Sequence, residues 1–137
     1  IYDCKSVIIT GGEPTIHNLL PLLKVLKSQN YWIAIESNGS NSMENISPYL
    51  DYIAISPKGD ILQKVVNEIR IVNDNISVDF LQNIEKTIIS DNYYLSPLDI
   101  DGIFNIKETM ELLGIINQNG TKKWHMSLQL HKLANIQ

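Results

Sequence analysis

The chain has 137 residues, a formal net charge of −4 and 44% hydrophobic residues. These values are those of one globular domain, and they exclude an intrinsically disordered chain. Because the sequence has no basic run and no apolar stretch near the ~20 residues that span a bilayer, it predicts no direct nucleic-acid partner and no membrane partner.

The first predicted strand is the apolar run Val7-Ile8-Ile9, which ends at Thr10-Gly-Gly-Glu-Pro14. A strand that is buried on both faces of a parallel sheet needs no polar alternation. Gly11 and Gly12 allow a sharp turn and the close approach of a ligand, since they carry no Cβ. Glu13 is therefore predicted to lie at the carboxyl end of a strand, where sheets and barrels of this kind bind ligands.

A helix is predicted next, because apolar residues recur at helical spacing from Ile16 to Leu26. Pro21 lies inside this pattern, so the helix either begins near Pro21 or is kinked there. His17 lies in the first turn, where a solvated histidine is favoured over a ligand-binding one.

Two further predicted strands also end in polar residues. The strand over 31–36 ends in Glu36, and the strand that begins at Asp51 ends in Ser56-Pro-Lys58. A charge at the end of an apolar run is costly to bury without a partner, which favours a functional role for Glu36. Lys58 is interpreted as a cation directed at a carboxylate.

The remaining elements continue an alternation of strands and helices. We predict a short helix over 61–67, a strand near the sheet edge over 68–72 and a helix over 77–89 with Ser77 as its N-cap. A strand over 92–95 that ends in Ser96-Pro-Leu-Asp99 is predicted next. A helix over 106–116 capped by Asn105 and a final strand over 124–130 complete the chain. Such alternation implies right-handed crossovers and a mainly parallel sheet. The fold class predicted is α/β, a partial (βα) barrel.

The polar residues at the strand ends predict one ligand-binding cleft. Its residues are Thr10, Gly12, Glu13, Glu36, Ser56, Lys58, Ser96, Asp99 and His131. They supply acids, a cation, hydroxyls and glycine amides, but no base-activated nucleophile and no glycine-rich phosphate cradle. A zwitterion with a ribose suits this set better than a phosphate does.

Four segments, in order along the chain, resemble one enzyme family. They are Thr10-Gly-Gly-Glu-Pro14, Ile35-Glu-Ser-Asn-Gly39, Ile55-Ser-Pro-Lys58 and Ser127-Leu-Gln-Leu-His-Lys132. Together they resemble the 7-carboxy-7-deazaguanine synthases, the radical S-adenosylmethionine (SAM) enzymes of queuosine and deazapurine biosynthesis. The resemblance covers essentially the whole chain but only the later part of that family's fold. We therefore expect a single radical SAM-type domain over 1–137 that is incomplete at its N-terminus.

The resemblance implies a role for each matched residue. SAM would be bound by Gly12, Glu13, Glu36, Ser56, Pro57, Lys58, Ser96, Pro97, Leu98 and Asp99. Gly12 and Glu13 would face the methionine amino group and Glu36 would approach the ribose, whereas the segment 96–99 would line the adenosine. The substrate, 6-carboxy-5,6,7,8-tetrahydropterin, would contact Thr10, His131 and the terminal carboxylate of Gln137. The family often has glutamine where this chain has Ser96.

In the intact family a [4Fe–4S] cluster on three cysteines cleaves SAM, and Mg²⁺ assists the conversion of the pterin to 7-carboxy-7-deazaguanine. Cys4 is the only cysteine of this chain, and it precedes the second strand of the family pattern. It cannot replace the three thiolates that hold such a cluster. The resemblance thus implies a carbon–nitrogen lyase of which this chain carries no catalytic residue and no metal ligand, and we expect the chain alone to be inactive.

Three hypotheses stay open from the sequence. The chain is a fragment or truncated product of such an enzyme, a non-catalytic SAM- and pterin-binding remnant, or a different α/β enzyme such as a phosphosugar-binding barrel. Four matched segments in order disfavour the third hypothesis. A free edge strand where the first unit belongs favours a homodimer. The start at Ile1 lacks a signal-peptide pattern, so a cytoplasmic location is expected.

Overall fold

The computed structural model describes residues 4–129. Six strands form one parallel sheet in chain order: β1 (Ser6–Ile9), β2 (Trp32–Ser37), β3 (Tyr52–Ile55), β4 (Val65–Asn73), β5 (Ile89–Pro97) and β8 (Trp124–Met126). The other elements are the helices α1 (Leu20–Ser28), α2 (Val78–Thr87) and α3 (Ile106–Asn119) and a hairpin of β6 (Asp99–Ile100) and β7 (Ile103–Phe104). The predicted α/β class and the partial (βα) barrel with a parallel sheet are confirmed.

The hydrophobic core lies between the helices and one face of the sheet. The buried strand residues of this face include Ile35 on β2, Ile55 on β3 and Ile69 on β4. They pack with Leu23 of α1 and Leu81 of α2 in a single cluster. Burial of this apolar surface is the main term that stabilises the sheet against the helices.

The opposite side of the sheet carries no helix in the described part of the chain, and we call it the open face. It is defined by the residues that alternate with the core positions, including Ile8, Glu36, Glu68, Arg70 and Tyr94. Ile8 and Glu36 are exposed there, whereas Glu68, Arg70 and Tyr94 are half-buried. The carboxyl ends of all six strands meet at one edge of this sheet, because every pairing is parallel.

The prediction of an edge strand over 68–72 is wrong, since β4 lies between β3 and β5. The alternation that suggested an edge has a different cause. The odd-numbered Ile69 and Ile71 face the helices, whereas Glu68 and Arg70 face the open side of the sheet. A central strand therefore also shows alternating polar and apolar residues when only one of its faces is covered by helices.

The predicted helix over 61–67 is also wrong, because residues 61–64 are not helical and β4 begins at Val65. The buried side chain of Gln63 accepts a hydrogen bond from Met43 N at 2.8 Å and donates one to Val65 O at 2.8 Å. These two bonds fix the segment in an extended course. The other three helices that the sequence predicts are present as α1, α2 and α3 in the described part of the chain.

The ends of the helices follow the sequence in two cases and depart from it in one. α1 begins at Leu20 with Pro21 in its first turn, which is the first of the two alternatives for this segment. Ser77 caps α2, since its hydroxyl accepts a hydrogen bond from Phe80 N at 3.1 Å. Asn105 makes no side-chain capping bond to α3. Its Oδ1 accepts instead from Leu98 N at 2.7 Å, which ties the hairpin to the start of the helix.

The strand β8 is attached to α2 through Glu85. This carboxylate accepts hydrogen bonds from Trp124 Nε1 at 2.8 Å, Thr121 N at 2.7 Å and Thr121 Oγ1 at 2.9 Å. Burial by itself raises the pKa of Glu85, but these hydrogen bonds outweigh it and the pKa lies below its ordinary value. Glu85 is thus charged at neutral pH and holds the last described strand against the helical layer.

Candidate functional site

The loop after β1 brings its backbone to the carboxyl edge of the sheet. Gly11 and Gly12 have φ values of +92° and +51°, which are left-handed conformations that side chains disfavour. A Cβ at either position would meet no atom within 4 Å. The requirement for glycine here is therefore conformational, and the space beside both residues is open for a ligand.

A cavity of about 180 Å³ lies beside this loop at the ends of the first three strands. It is lined by Thr10, Gly12, Glu36, Ser37, Asn38, Ser56 and Lys58. Thr10 Oγ1 donates to Glu36 Oε2 at 3.1 Å, so the residues assigned to substrate and to ribose lie in contact. The structure thus brings together five residues that the sequence predicted to meet, from three separate segments of the chain.

Glu13 lies beside this cavity and connects the loop to the end of β2. Its Oε1 accepts from Thr15 N, Thr15 Oγ1 and Ser37 Oγ at 3.1, 2.6 and 2.8 Å, and its Oε2 accepts from Asn38 N at 2.7 Å. Burial by itself raises the pKa of Glu13, yet the hydrogen bonds from Thr15, Asn38 and Ser37 outweigh it and lower the pKa. Glu13 is therefore a charged acceptor, and the single bond at Oε2 leaves that oxygen acceptor capacity for a ligand cation.

The segment after β3 supplies a hydroxyl and a cation to the cavity. Ser56 N donates to Ser37 O at 2.8 Å, which continues the pairing of β2 and β3 past the last strand residue. Ser56 and Lys58 are exposed and line the cavity, and Pro57 between them is half-buried. The ammonium of Lys58 is a point charge suited to a ligand carboxylate.

The predicted residues of segment 96–99 lie at the same edge of the sheet but at the end of β5, so that β4 separates them from the cavity. Ser96 is buried, while Pro97 and Leu98 are half-buried. Asp99 Oδ1 accepts from Gly102 N at 2.9 Å and thereby closes the β6–β7 hairpin. His131 and Gln137, the other predicted substrate contacts, lie outside the described residues.

Sequence reasoning missed two cavity residues and one polar network. Ser37 and Asn38 line the cavity, although the sequence assigned them no role in it. The signal that could have found them was their place directly after Glu36, where a loop must pass the ligand edge.

The missed network lies on the open face of β3 and β4. Tyr52 OH donates to Glu68 Oε2 at 2.9 Å, and Arg70 Nη2 donates to Glu68 Oε1 in an ion pair. Burial, followed by the hydrogen bond to Glu68, raises the pKa of Tyr52 to about 12. Arg70 therefore lies beside a fixed carboxylate, three residues before the carboxyl end of β4.

Within residues 4–129, no three His, Cys, Asp or Glu side chains are grouped so as to hold a metal ion. In the same range no helix is long and apolar enough to cross a membrane.

The fold and the cavity define an α/β chain of partial-barrel type with a mixed-charge site at its carboxyl edge. A 7-carboxy-7-deazaguanine synthase of Haemophilus influenzae is 46% identical over 145 aligned positions, which cover 99% of this chain and 67% of that protein. One of Neisseria meningitidis serogroup B is 40% identical, with 99% of this chain and 68% of that protein covered. This chain therefore belongs to the 7-carboxy-7-deazaguanine synthase family.

The fold also agrees with that of a solved structure. The crystal structure of QueE from Escherichia coli matches with a TM-score of 0.60 at 24% sequence identity, over 93% of this chain and 58% of that chain. No protein-family model matches the chain. The chain thus spans about two thirds of the length of the two relatives and somewhat less of the solved neighbour.

Proposed function

We propose that this chain acts in a 7-carboxy-7-deazaguanine synthase, a radical SAM carbon–nitrogen lyase that converts 6-carboxy-5,6,7,8-tetrahydropterin to 7-carboxy-7-deazaguanine in queuosine biosynthesis. The observation that carries the proposal is the cavity at the carboxyl edge. It joins Thr10, Glu36 and Lys58 from three separate segments. Two relatives with this name align over 99% of the chain.

SAM fits the groups that the cavity offers. Its positively charged amino group suits the carboxylate of Glu13, its ribose hydroxyls suit the carboxylate of Glu36, and its own carboxylate suits Lys58. The glycine loop leaves room for backbone contacts without a Cβ. Thr10 donates a hydrogen bond to Glu36 and also lines the cavity, where it would orient the pterin.

A [4Fe–4S] cluster does not fit these 137 residues, because they contain one cysteine and the cluster needs several thiolates. Bound in the family's enzymes, the cluster supplies the electron that cleaves SAM. We propose that the cluster and Mg²⁺ ligands belong to a segment outside these residues. The role proposed for the present residues is to bind and orient SAM and the pterin in the cytoplasm.

The single cysteine also favours a second candidate, a SAM- and pterin-binding remnant without catalysis. Iron and sulfide reconstitution of the 137-residue chain, followed by reduction and an assay for 5′-deoxyadenosine, tests the division of roles. We expect no deoxyadenosine from this chain alone, and its formation would contradict the proposal. Activity on addition of a family cluster-binding segment favours the enzyme over the remnant.

Binding of SAM to the chain tests the proposed site directly. We expect Lys58→Met and Glu36→Gln each to weaken SAM binding about tenfold in isothermal titration calorimetry, which corresponds to about 1.4 kcal/mol. Lys24→Met, at an exposed position on α1, is the matched control and is expected to bind SAM as the wild type does. Equal affinities for all four proteins would contradict this site.

A further inference from the structure

Two buried side-chain polar atoms lack a hydrogen-bond partner in the part of the chain that the structure describes. They are Arg70 Nε and Ser96 Oγ. Ser96 is only 3% exposed. An unpaired buried donor is unfavourable for folding, and native proteins rarely keep one without a reason. Each of the two atoms therefore requires an explanation.

The two atoms belong to one place on the open face. Arg70 on β4 is paired with Tyr94 on β5, and Val72 is paired with Ser96. Arg70 and Ser96 are thus diagonal neighbours on adjacent parallel strands, with Cα atoms about 8 Å apart by the strand spacing and the rise per residue, which a long side chain can span. Two unsatisfied groups at neighbouring positions point to one absent partner.

Arg70 also lies between the two groups of predicted site residues. It directly follows Ile69, which pairs with Ile55, and Ser56 directly follows Ile55. The cavity residue Ser56 therefore lies on one side of Arg70 and the segment that begins at Ser96 lies on the other. A ligand that contacts both groups must pass over β4, where the guanidinium is.

The chemistry of the two groups defines the partner. Arg70 Nη2 is engaged by Glu68, whereas the buried Nε has no hydrogen-bond partner in the described part of the chain. An arginine Nε–H only donates, and a serine hydroxyl can donate as well. Two donors, one of them on a cation, are suited to a carboxylate.

We propose that Arg70 Nε and Ser96 Oγ bind one carboxylate of the ligand, and that Arg70 is a ligand-binding residue that spans the cavity and the segment 96–99. This inference rests on the proposed function. SAM and the carboxylated pterin each carry such a carboxylate. SAM would place its carboxylate here instead of at Lys58, and calorimetry with each ligand distinguishes the two sources.

The test compares Arg70→Lys, Ser96→Ala and the double variant of the full chain by calorimetry with SAM and with 6-carboxy-5,6,7,8-tetrahydropterin. Arg70→Lys keeps a cation beside Glu68 but removes Nε–H. We expect each single variant to weaken one of the two ligands about tenfold, and the double variant to add less than a further tenfold, because both groups bind the same carboxylate. If SAM is affected, 5′-methylthioadenosine, which lacks the amino-acid carboxylate, should bind all variants alike.

Thermal unfolding without ligand separates a binding role from a structural one. Ser96→Ala removes an unpaired buried hydroxyl and is expected to raise Tm. The matched control is Ser90→Ala on the same strand, since the Ser90 hydroxyl donates to Asn92 O at 2.8 Å. We expect the control to lower Tm without changing ligand affinity.

Three outcomes overturn the inference. A lower Tm for Ser96→Ala with unchanged affinities assigns the hydroxyl a structural role. Wild-type affinities in Arg70→Lys and Ser96→Ala, when the wild type binds SAM or the pterin, reject this carboxylate site and leave the proposed function intact. Failure of the wild type to bind either ligand rejects the proposed function and this inference together.

Discussion

At the scale of single residues, the carboxylates of this chain divide into two kinds. Glu13 and Glu85 are held by several hydrogen bonds from neighbouring elements, which lower their pKa values despite burial. Glu36 is exposed in the cavity and accepts one bond, from Thr10. The sequence predicted that Glu13 and Glu36 share an edge of the sheet, because both end apolar runs. It could not predict that Ser37 and Asn38 hold Glu13, since that contact depends on how the two loops pack.

Glu13→Gln is expected to lower the free energy of unfolding by about 1–3 kcal/mol at neutral pH, because the carboxylate is a charged acceptor of several bonds. The folded-state pKa lies below the ordinary 4.5, so this stabilisation is complete above the unfolded-state pKa and is lost as the pH falls through the folded value. Urea unfolding at several pH values should show the gap between wild type and variant narrowing below about pH 4.5.

The control for this prediction is Glu111→Gln, at an exposed position on α3. It is expected to leave the free energy of unfolding nearly unchanged at every pH. A gap for Glu13→Gln that stays constant into the acid range would show that its carboxylate is not preferentially charged in the folded state.

At the scale of elements, the sequence predicted the strands better than the segments that connect them. The apolar runs that became β1, β2 and β3 were recognisable because their polar residues gather at one end. The segment 61–64 was not recognisable, because its extended course depends on the buried side chain of Gln63 and its bonds to Met43 and Val65. Asn105 has the residue type of an N-cap, but its side chain accepts a hydrogen bond from Leu98 N instead of capping α3.

Two glycines, one within α3 and one just after it, give opposite expectations for the same substitution. A Cβ on Gly120, just after the helix, would lie 2.5 Å from Glu85 Oε1 and 2.7 Å from Ile116 O, whereas a Cβ on Gly114 would meet nothing within 4 Å. We expect Gly120→Ala to destabilise the chain by about 1–3 kcal/mol through overpacking. Gly114→Ala should stabilise it by about 0.5–1 kcal/mol through helix propensity.

Chemical unfolding of both variants checks this pair. Equal shifts of the same sign would mean that the end of α3 is free to move away from Glu85. In that case the attachment of β8 to α2 would be weaker than the hydrogen bonds to Trp124 and Thr121 indicate.

At the scale of the whole molecule, the parallel order of the six strands is what the sequence predicted best. The resemblance of four strand-end segments required the strands of the sheet to run the same way, and the six strands of the main sheet do. The open face was not predicted, because a periodicity of two does not reveal whether the second face meets helices, solvent or ligand. The residues Glu68 and Arg70 were therefore assigned to an edge, although they occupy the middle of the sheet.

β1 lies at one end of the sheet in the described part of the chain, and its exposed Ile8 is on the open face. We predict that the 137-residue chain associates with a second copy through this strand, since a free apolar edge strand pairs readily. Ile8→Lys should shift the chain toward monomer in sedimentation velocity over a concentration series. Val25→Lys, at an exposed position on α1, is the control, and an equal shift for it would argue against the β1 interface.

The two tryptophans can serve as intrinsic fluorescence probes of two different parts of the sheet. Trp124 is 1% exposed and hydrogen-bonded to Glu85, whereas Trp32, whose strand is paired with β1, is 44% exposed. The fluorescence of Trp124 should have a short emission wavelength and be quenched little by acrylamide. The emission of Trp32 should be red-shifted and readily quenched. With Trp32→Phe, the remaining emission follows the departure of β8 from the sheet. With Trp124→Phe, the remaining emission of Trp32 reports unfolding of β2 beside β1. The two variants thus allow unfolding near the two ends of the sheet to be measured separately without an added label.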